Sequence, residues 1–423
     1  MEMDLPRMFP LRQTFDAKSL HDPVEQTRRC VLNSSLGERI SGGARVAITA
    51  GSRGIHRIAQ LTRAVVDGVR EMGGVPFILA SMGSHGAATA DGQKAILASY
   101  GIDESTMGAP VDATMDVVQV GETDDGIPVV LNRLAREADA VVLVNRVKPH
   151  TSFRGPFESG LMKMMTIGLG SHRGATLAHS MGAAGLPRMI PAWGRIILQE
   201  APITLGVAIL ENAYEQTAKV VAVEPEELAA VEPELLDEAR ELMPRIPSER
   251  IDVLIVDRIG KNISGTGMDP NIIGRIWLEG IEEPDSPRIE RIVVLDLTAE
   301  THGNANGIGL ADVTTRRLVD NIDFKATYAN AMTSTFLNRA YIPIVGENDR
   351  EAIEIALGAT GGGGNPDARV MRIRSTLELE HLGASESLLP ELSEVPEVEI
   401  SGEPAGMNFD GEGNLSTSEP GSG

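Results

Sequence analysis

Apolar and polar positions along this chain follow two alternating periods. Short runs dense in Val, Ile, Leu and Ala occur at 44–50 (ARVAITA), 75–81 (VPFILAS) and 140–144 (AVVLV). Their length and β-branched content predict buried strands. Between them, 58–72 and 89–99 carry apolar residues at helical spacing and end on Gly73-Gly74 and Gly101. Residues 129–137 are expected to form a helix leading into 140–144. Each strand runs into a polar, glycine-containing loop: GSRGIHR (51–57), MGSHGAAT (82–89) and VKPHTSFRGP (147–156). Repeated strand-loop-helix units predict an α/β fold with a mostly parallel sheet and helices on both faces. Ligands bind beyond the carboxyl ends of such strands. Arg53, His85 and His150 are therefore expected to converge on one crevice.

Further along, 203–210 (ITLGVAIL) and 219–223 (KVVAV) predict adjacent strands. Residues 225–243 form an acidic helical stretch that Pro233 is expected to divide into two short helices. The proline-containing segment MPRIPSER (243–250) is a candidate boundary. After it the alternation resumes, with strands expected at 251–256, 291–297, 342–345 and 368–374 and a helix at 310–322. The pattern predicts two α/β domains, 1–247 and 248–383, with residues 1–43 irregular. An acidic tail, 384–423, is expected to be partly disordered.

Composition narrows the function. The chain has 423 residues, a formal net charge of −22, 42% hydrophobic and 3% aromatic residues. The charge argues against nucleic-acid and anionic-membrane partners, which need a basic face. A small anionic substrate remains compatible, because a few local cations can override the global field. The single cysteine, Cys30, excludes an internal disulfide and a cysteine-based zinc site. No signal peptide or membrane span is expected, and the cytoplasm is the expected location. Homo-oligomerisation stays open.

The candidate chemistry lies in the loops and in residues 140–182. In GSRGIHR, backbone N–H groups around Ser52 could cradle a phosphate, or Arg53 could clamp a carboxylate with paired hydrogen bonds; an ordinary turn with a surface arginine is the plain alternative. His85 and His150 could face opposite sides of a substrate as proton-transfer groups, or one of them could be structural. Lys163 sits among Leu161, Met162, Met164 and Met165. It either snorkels at a helix surface or is partly buried with a lowered pKa, suited to covalent attachment. His179 has no partner histidine at ligand spacing. As a metal ligand it would need a cofactor to supply the rest.

Together these residues resemble the nickel-dependent lactate racemase family. The likeness rests on Arg53 after the first strand, Gly83-Ser84-His85 at the next strand end, Pro149-His150 before a glycine-rich segment holding Lys163, and His179 followed by Ser180. It covers residues 40–185 well and the remainder more loosely. The resemblance implies a nickel-pincer nucleotide (a pyridinium-3-thioamide-5-thiocarboxylic acid mononucleotide) joined covalently to Lys163, with His179 as the protein ligand to nickel. Ser52 and Gly168 would also contact this cofactor. It further implies cofactor-synthesis enzymes as partners and an active site in the cleft between the domains. The reaction would racemise or epimerise a 2-hydroxy carboxylic acid by reversible hydride transfer. His85 and His150 would be alternating bases, and Arg53 would orient the carboxylate.

The sequence departs from that pattern in three places. Ala50 stands where an acidic residue is common. The segment from His150 to Lys163 is longer and includes Arg154 and Glu158. Residues 301–317 offer Asp312, Thr314 and Arg316 in place of the expected Gln and Lys, and Arg316 becomes a substrate-binding candidate. These differences point to a substrate other than lactate. Two competing functions stay open: a nucleotide- or anion-binding protein of the same fold, and a metal-independent lyase using His and Lys.

Overall fold

The first strand, β1 (Met8–Gln13), does not join the sheet nearest to it in sequence. In the computed structural model, which describes residues 4–361, 365 and 367–416, the chain divides into two compact units. One is Asp16–Met243; the other combines Met1–Phe15 with Pro244–Gly423. Strand β1 carries Phe9, Leu11 and Gln13 inward at a period of two. It pairs antiparallel with strands from the far end of the chain, so residues 1–15 leave the domain to which 1–247 assigned them.

The 16–243 unit holds a six-stranded sheet and a separate hairpin. Its strands are β2 (Arg45–Ala50), β3 (Val75–Ala80), β4 (Val111–Asp112), the hairpin strands β5 (Val117–Glu122) and β6 (Pro128–Asn132), then β7 (Ala140–Arg146), β8 (Ile203–Glu211) and β9 (Thr217–Val223). The sheet order is β4-β3-β2-β7-β8-β9. Every pair is parallel except β8–β9. Val46, Ile48, Val142, Val144 and Val207 meet Leu61, Val65 and Val69 of the helix Ile58–Glu71 in one core. Thus β3, β2 and β7 lie side by side, with their carboxyl ends along one edge.

The other unit has an eight-stranded sheet that adds β10 (Arg250–Ile259), β11 (Arg288–Leu297), β12 (Val313–Thr315), β13 (Ile344–Gly346), β14 (Val370–Ile373), β15 (His381–Ser385) and β16 (Val398–Ile400) to β1. Its order is β13-β12-β11-β10-β14-β15-β1-β16. The β13-to-β14 part is parallel, and the remainder is antiparallel. Ile353, Ala356 and Leu357 of the helix Asp349–Gly358 cover Val253, Ile255 and Val293.

The structure corrects several local expectations. Residues 1–43 include the helix Pro23–Leu32, whose first turn is fixed by Pro23 and by the Asp22 carboxylate accepting from Glu25 N. Only 133–137 of the expected 129–137 helix is helical, because 128–132 pairs as β6. Pro233 does not break its helix, which runs unbroken from Leu228 to Leu242. It stands in the second turn, where its missing N–H forgoes one bond, to Ala229 O, and the helix continues through it. Residues 384–416 are built into the sheet and its loops: Leu388 and Leu392 are buried, and β16 pairs with β1. The last part of the expected tail, 417–423, lies outside the described residues.

Candidate active site

Three loops leave adjacent parallel strands, and specific bonds tie them together. After β2, the Ser52 hydroxyl hydrogen-bonds His85 Nδ1 of the loop after β3. The Tyr100 hydroxyl donates to Ser52 O at 3.1 Å. Gly83 N donates to Gly168 O at 3.3 Å, joining the β3 loop to the segment after Lys163. Gly168 packs so closely there that a Cβ would stand 2.8 Å from Ser81 O. The β3 loop is strained, with Ala87 and Ala88 both at φ 54°. Non-glycine residues rarely adopt this region, and strain of this kind concentrates at functional sites. His85 is exposed on this loop.

The loop after β7 is built differently. Lys148 and Ser159 exchange backbone hydrogen bonds at 2.9 and 3.1 Å, closing it at the base. Inside it, the Glu158 carboxylate is fully buried. It accepts from His150 N and, at 3.3 Å, from Gly155 N, and it pairs with Arg240 at 2.7 Å and Arg154 at 3.7 Å. Arg154 also donates to His150 O at 2.7 Å. The segment expected to govern substrate choice is thus an internal brace that holds His150. The imidazole stacks on Phe153 with centroids 4.2 Å apart, and its Nδ1 accepts from Ser152 N at 3.1 Å. A neutral ring bonded in this way carries its proton on Nε2.

Lys163 closes a short helix, Leu161–Lys163, that continues as a π-helix, Met164–Gly168. Such insertions are rare and recur at functional sites. Lys163 is half-buried, and among the described residues no hydrogen bond or ion pair reaches its amine. Desolvation, with repulsion from Arg53 and Lys148 only partly offset by Glu158, lowers its pKa to about 7. The same charges reach the histidines. Desolvation first, then Lys163, Arg154, His179 and Lys148, hold His150 well below the usual imidazole range. His179, on the helix Ser171–Ser180, is lowered by desolvation and by Lys163. Its Nδ1 is buried with no hydrogen-bond partner among the described residues. Arg53 is lowered by desolvation first and by Arg146, but it is exposed and stays a cation at neutral pH.

Residues 20–188 match the lactate racemase N-terminal domain. Arg53, His85, His150, Lys163 and His179 all fall inside the matched span. No curated protein matches the sequence. The fold is similar to that of the lactate racemase apoprotein from Thermoanaerobacterium thermosaccharolyticum, with a TM-score of 0.54 over 87% of this chain and 94% of that one. The two sequences are 14% identical, so this likeness speaks for the fold. A lactate racemase-like domain within this fold supports a racemase-family role.

In the lactate racemase-like domain the structure thus groups Ser52 with His85, and couples Lys163 with Arg53, His150 and His179. Arg316 belongs to the other unit, where it is exposed and pairs with Glu347 at 3.4 Å. Asp312 and Thr314, expected to mark a changed substrate, are engaged within their own unit. Asp312 pairs with Arg275 at 2.7 Å, and the Thr314 hydroxyl donates to Val294 O at 2.8 Å. Among the described residues no three His, Cys, Asp or Glu side chains gather to hold a metal ion. Sequence reasoning missed Glu232. This acid lies on the apolar stripe of its helix with Leu228, Leu235, Leu236 and Ala239, and that misfit with the stripe was the available signal.

Proposed function

We propose that this protein racemises or epimerises a 2-hydroxy carboxylic acid using a nickel-pincer nucleotide carried on Lys163. The observation that supports it best is one electrostatic cluster holding a lysine amine at about pKa 7 and a histidine with an orphaned buried nitrogen. An amine that is substantially neutral near pH 7 can form a covalent bond, which an ordinary lysine ammonium resists. A lone unpartnered imidazole fits a metal whose other ligands come from an organic group. Lys163 would hold that group covalently, and His179 would be its protein ligand to nickel. When bound, the group supplies a reversible acceptor for the substrate's Cα hydrogen as hydride.

The chain's own residues do the remainder. Arg53, cationic and exposed, binds and orients the substrate carboxylate. His85 exchanges the hydroxyl proton. When the Ser52 hydroxyl accepts from Nδ1, the ring's lone pair is on Nε2, the form in which that nitrogen can take a proton. His150 is kept uncharged and presents Nε2–H to the substrate oxygen. To act as a base it must release the Ser152 bond and change tautomer.

Intact-mass and peptide analysis of protein made alongside the cofactor-synthesis enzymes tests this directly. The expected result is one adduct mapping to Lys163, about one nickel per chain, and stereochemical exchange in a panel of hydroxy acids. If neither adduct nor nickel appears under those conditions, the assignment fails. The site then returns to metal-independent acid–base chemistry by the same lysine and histidines.

A further inference from the structure

The helix bearing Lys163 starts without a capping side chain of its own. Gly160 occupies the cap position with extended backbone (φ 179°), and no side chain of the local sequence bonds the first turn. Free N–H groups at a buried helix start need acceptors. They are supplied from seventy residues away: Glu232 Oε2 accepts from Met162 N at 2.9 Å, and the Leu161 N–H acts electrostatically on the same carboxylate. Glu232 is 1% exposed, and its Oε1 has no hydrogen-bond partner among the described residues. The carboxyl fits only because residue 160 lacks a side chain. A Cβ there would lie 2.2 Å from Oε1 and 2.7 Å from Cδ of Glu232. On the other side of the turn, the Asn145 amide donates to Gly160 O at 2.8 Å, tying it to the end of β7.

We infer that Glu232 is a positioning residue for Lys163: with Gly160 it forms a two-part cap that fixes the lysine-bearing turn at the end of β7. This deepens the proposed function and rests on it only for the use made of the amine; the cap itself is a property of the chain without cofactor. A buried acid with a half-satisfied carboxyl is a poor device for stability alone. Here it puts a helix start where the neighbouring backbone must be glycine. An acid also suits the positive end of a helix. Burial raises its pKa to about 7, so part of the population is neutral at that pH while the acceptor oxygen is retained.

The test uses full-length protein made without the cofactor-synthesis enzymes. Two readouts are followed in Glu232→Ala, Glu232→Gln and Gly160→Ala: amide exchange at Leu161 and Met162, and acylation of Lys163 at fixed pH relative to exposed Lys94 of the helix Ala90–Ser99. Glu232→Ala and Gly160→Ala should both speed exchange at the two amides by about tenfold, the scale of one lost buried hydrogen bond. Both should also shift the Lys163-to-Lys94 acylation ratio in the same direction. Glu232→Gln, which keeps an acceptor, should stay near wild type in both readouts. Unchanged exchange and an unchanged ratio in folded Gly160→Ala or Glu232→Ala would overturn the assignment, as would a Gln variant that behaves like Ala. If Glu232→Ala does not fold, Gly160→Ala and Glu232→Gln decide the question. Because the cofactor is absent, failure here is distinct from failure to form the Lys163 adduct.

Discussion

His85 and His150 end equivalent loops on strands flanking β2, yet the fold prepares them in opposite ways. His150 is half-buried, stacked on Phe153 and fixed through Ser152 N, and the buried Glu158 brace holds its backbone. His85 is exposed on a loop with two alanines in the left-handed region, and its Nδ1 partner is a rotatable hydroxyl. One imidazole is pre-set in charge and tautomer; the other bonds a hydroxyl that can donate or accept, so its tautomer can adjust. For the proposed reaction, in which a hydroxyl proton is taken up and returned from either side of the substrate, such a pair need not be symmetric in its resting state. The difference arises from what surrounds the two loops, since the residue type and strand-end position are the same.

The largest test of this contrast is catalytic. His85→Ala and His150→Ala should each lower turnover by about 10²–10⁴-fold, the usual range for a general acid–base group. Normal turnover by both cofactor-loaded variants would remove them as the proton-transfer pair. Next comes the brace. Glu158→Ala removes the acceptor of His150 N and Gly155 N and releases Arg240 and Arg154, which are partly exposed and can be hydrated, so chemical denaturation should show a loss of about 1–3 kcal/mol. A loss below about 1 kcal/mol, the scale of an exposed pair, would mean that His150 is not held by this network.

The pH dependence separates the histidines further. The His150 pKa is lowered in the fold from its ordinary 6.5. Below 6.5 the unfolded chain therefore binds a proton that the native ring refuses. Its contribution to stability is complete above about pH 6.5 and is lost as pH falls. Glu232 acts in the opposite sense: raised from 4.5 to about 7, it keeps a proton that the unfolded chain releases, so its contribution falls as pH rises through that window. The difference between wild type and His150→Gln, measured by urea denaturation across this range, isolates the first effect. Parallel curves would show that the imidazole is not buried in its neutral form. Replacing Lys163 by Met removes one cation that lowers His150, so the ring's NMR titration should move toward 6.5. The smallest effect belongs to the His85 loop. Ala88→Gly relieves a positive φ and should stabilise the fold by about 0.5–1 kcal/mol. No gain would mean that the loop holds no strain there.

Much of the architecture was legible as pattern. Strands β2, β3 and β7 are continuous apolar runs buried on both faces, and their order with helices between them implies parallel pairing. Asp22-Pro23 before Glu25 was a readable helix start within a region expected to be irregular. Strand β1 was harder to see, because its alternating Phe9, Leu11 and Gln13 sit between prolines and its partners lie about 370 residues away. The tail misled for the same reason. Acidic composition predicts weak local structure, but Leu388 and Leu392 are buried in the unit to which β1 belongs.

The sequence by itself determined the strand-loop-helix rhythm and the residue types at three strand ends, because period and loop chemistry are local properties. It also supplied the ordered set Arg53, His85, His150, Lys163 and His179. Tertiary structure decided what each of them is chemically. Lys163 changes from a snorkelling candidate to an amine near neutrality because desolvation and the charges of Arg53 and Lys148 act on it together. Arg154 and Glu158 become a brace because Arg240 reaches Glu158 from a helix far along the chain. Glu232 matters because its carboxyl fills the space left by Gly160, 72 residues before it. Burial, charge proximity and capping in trans are sums over neighbours distant in sequence, and only the folded chain brings those neighbours together.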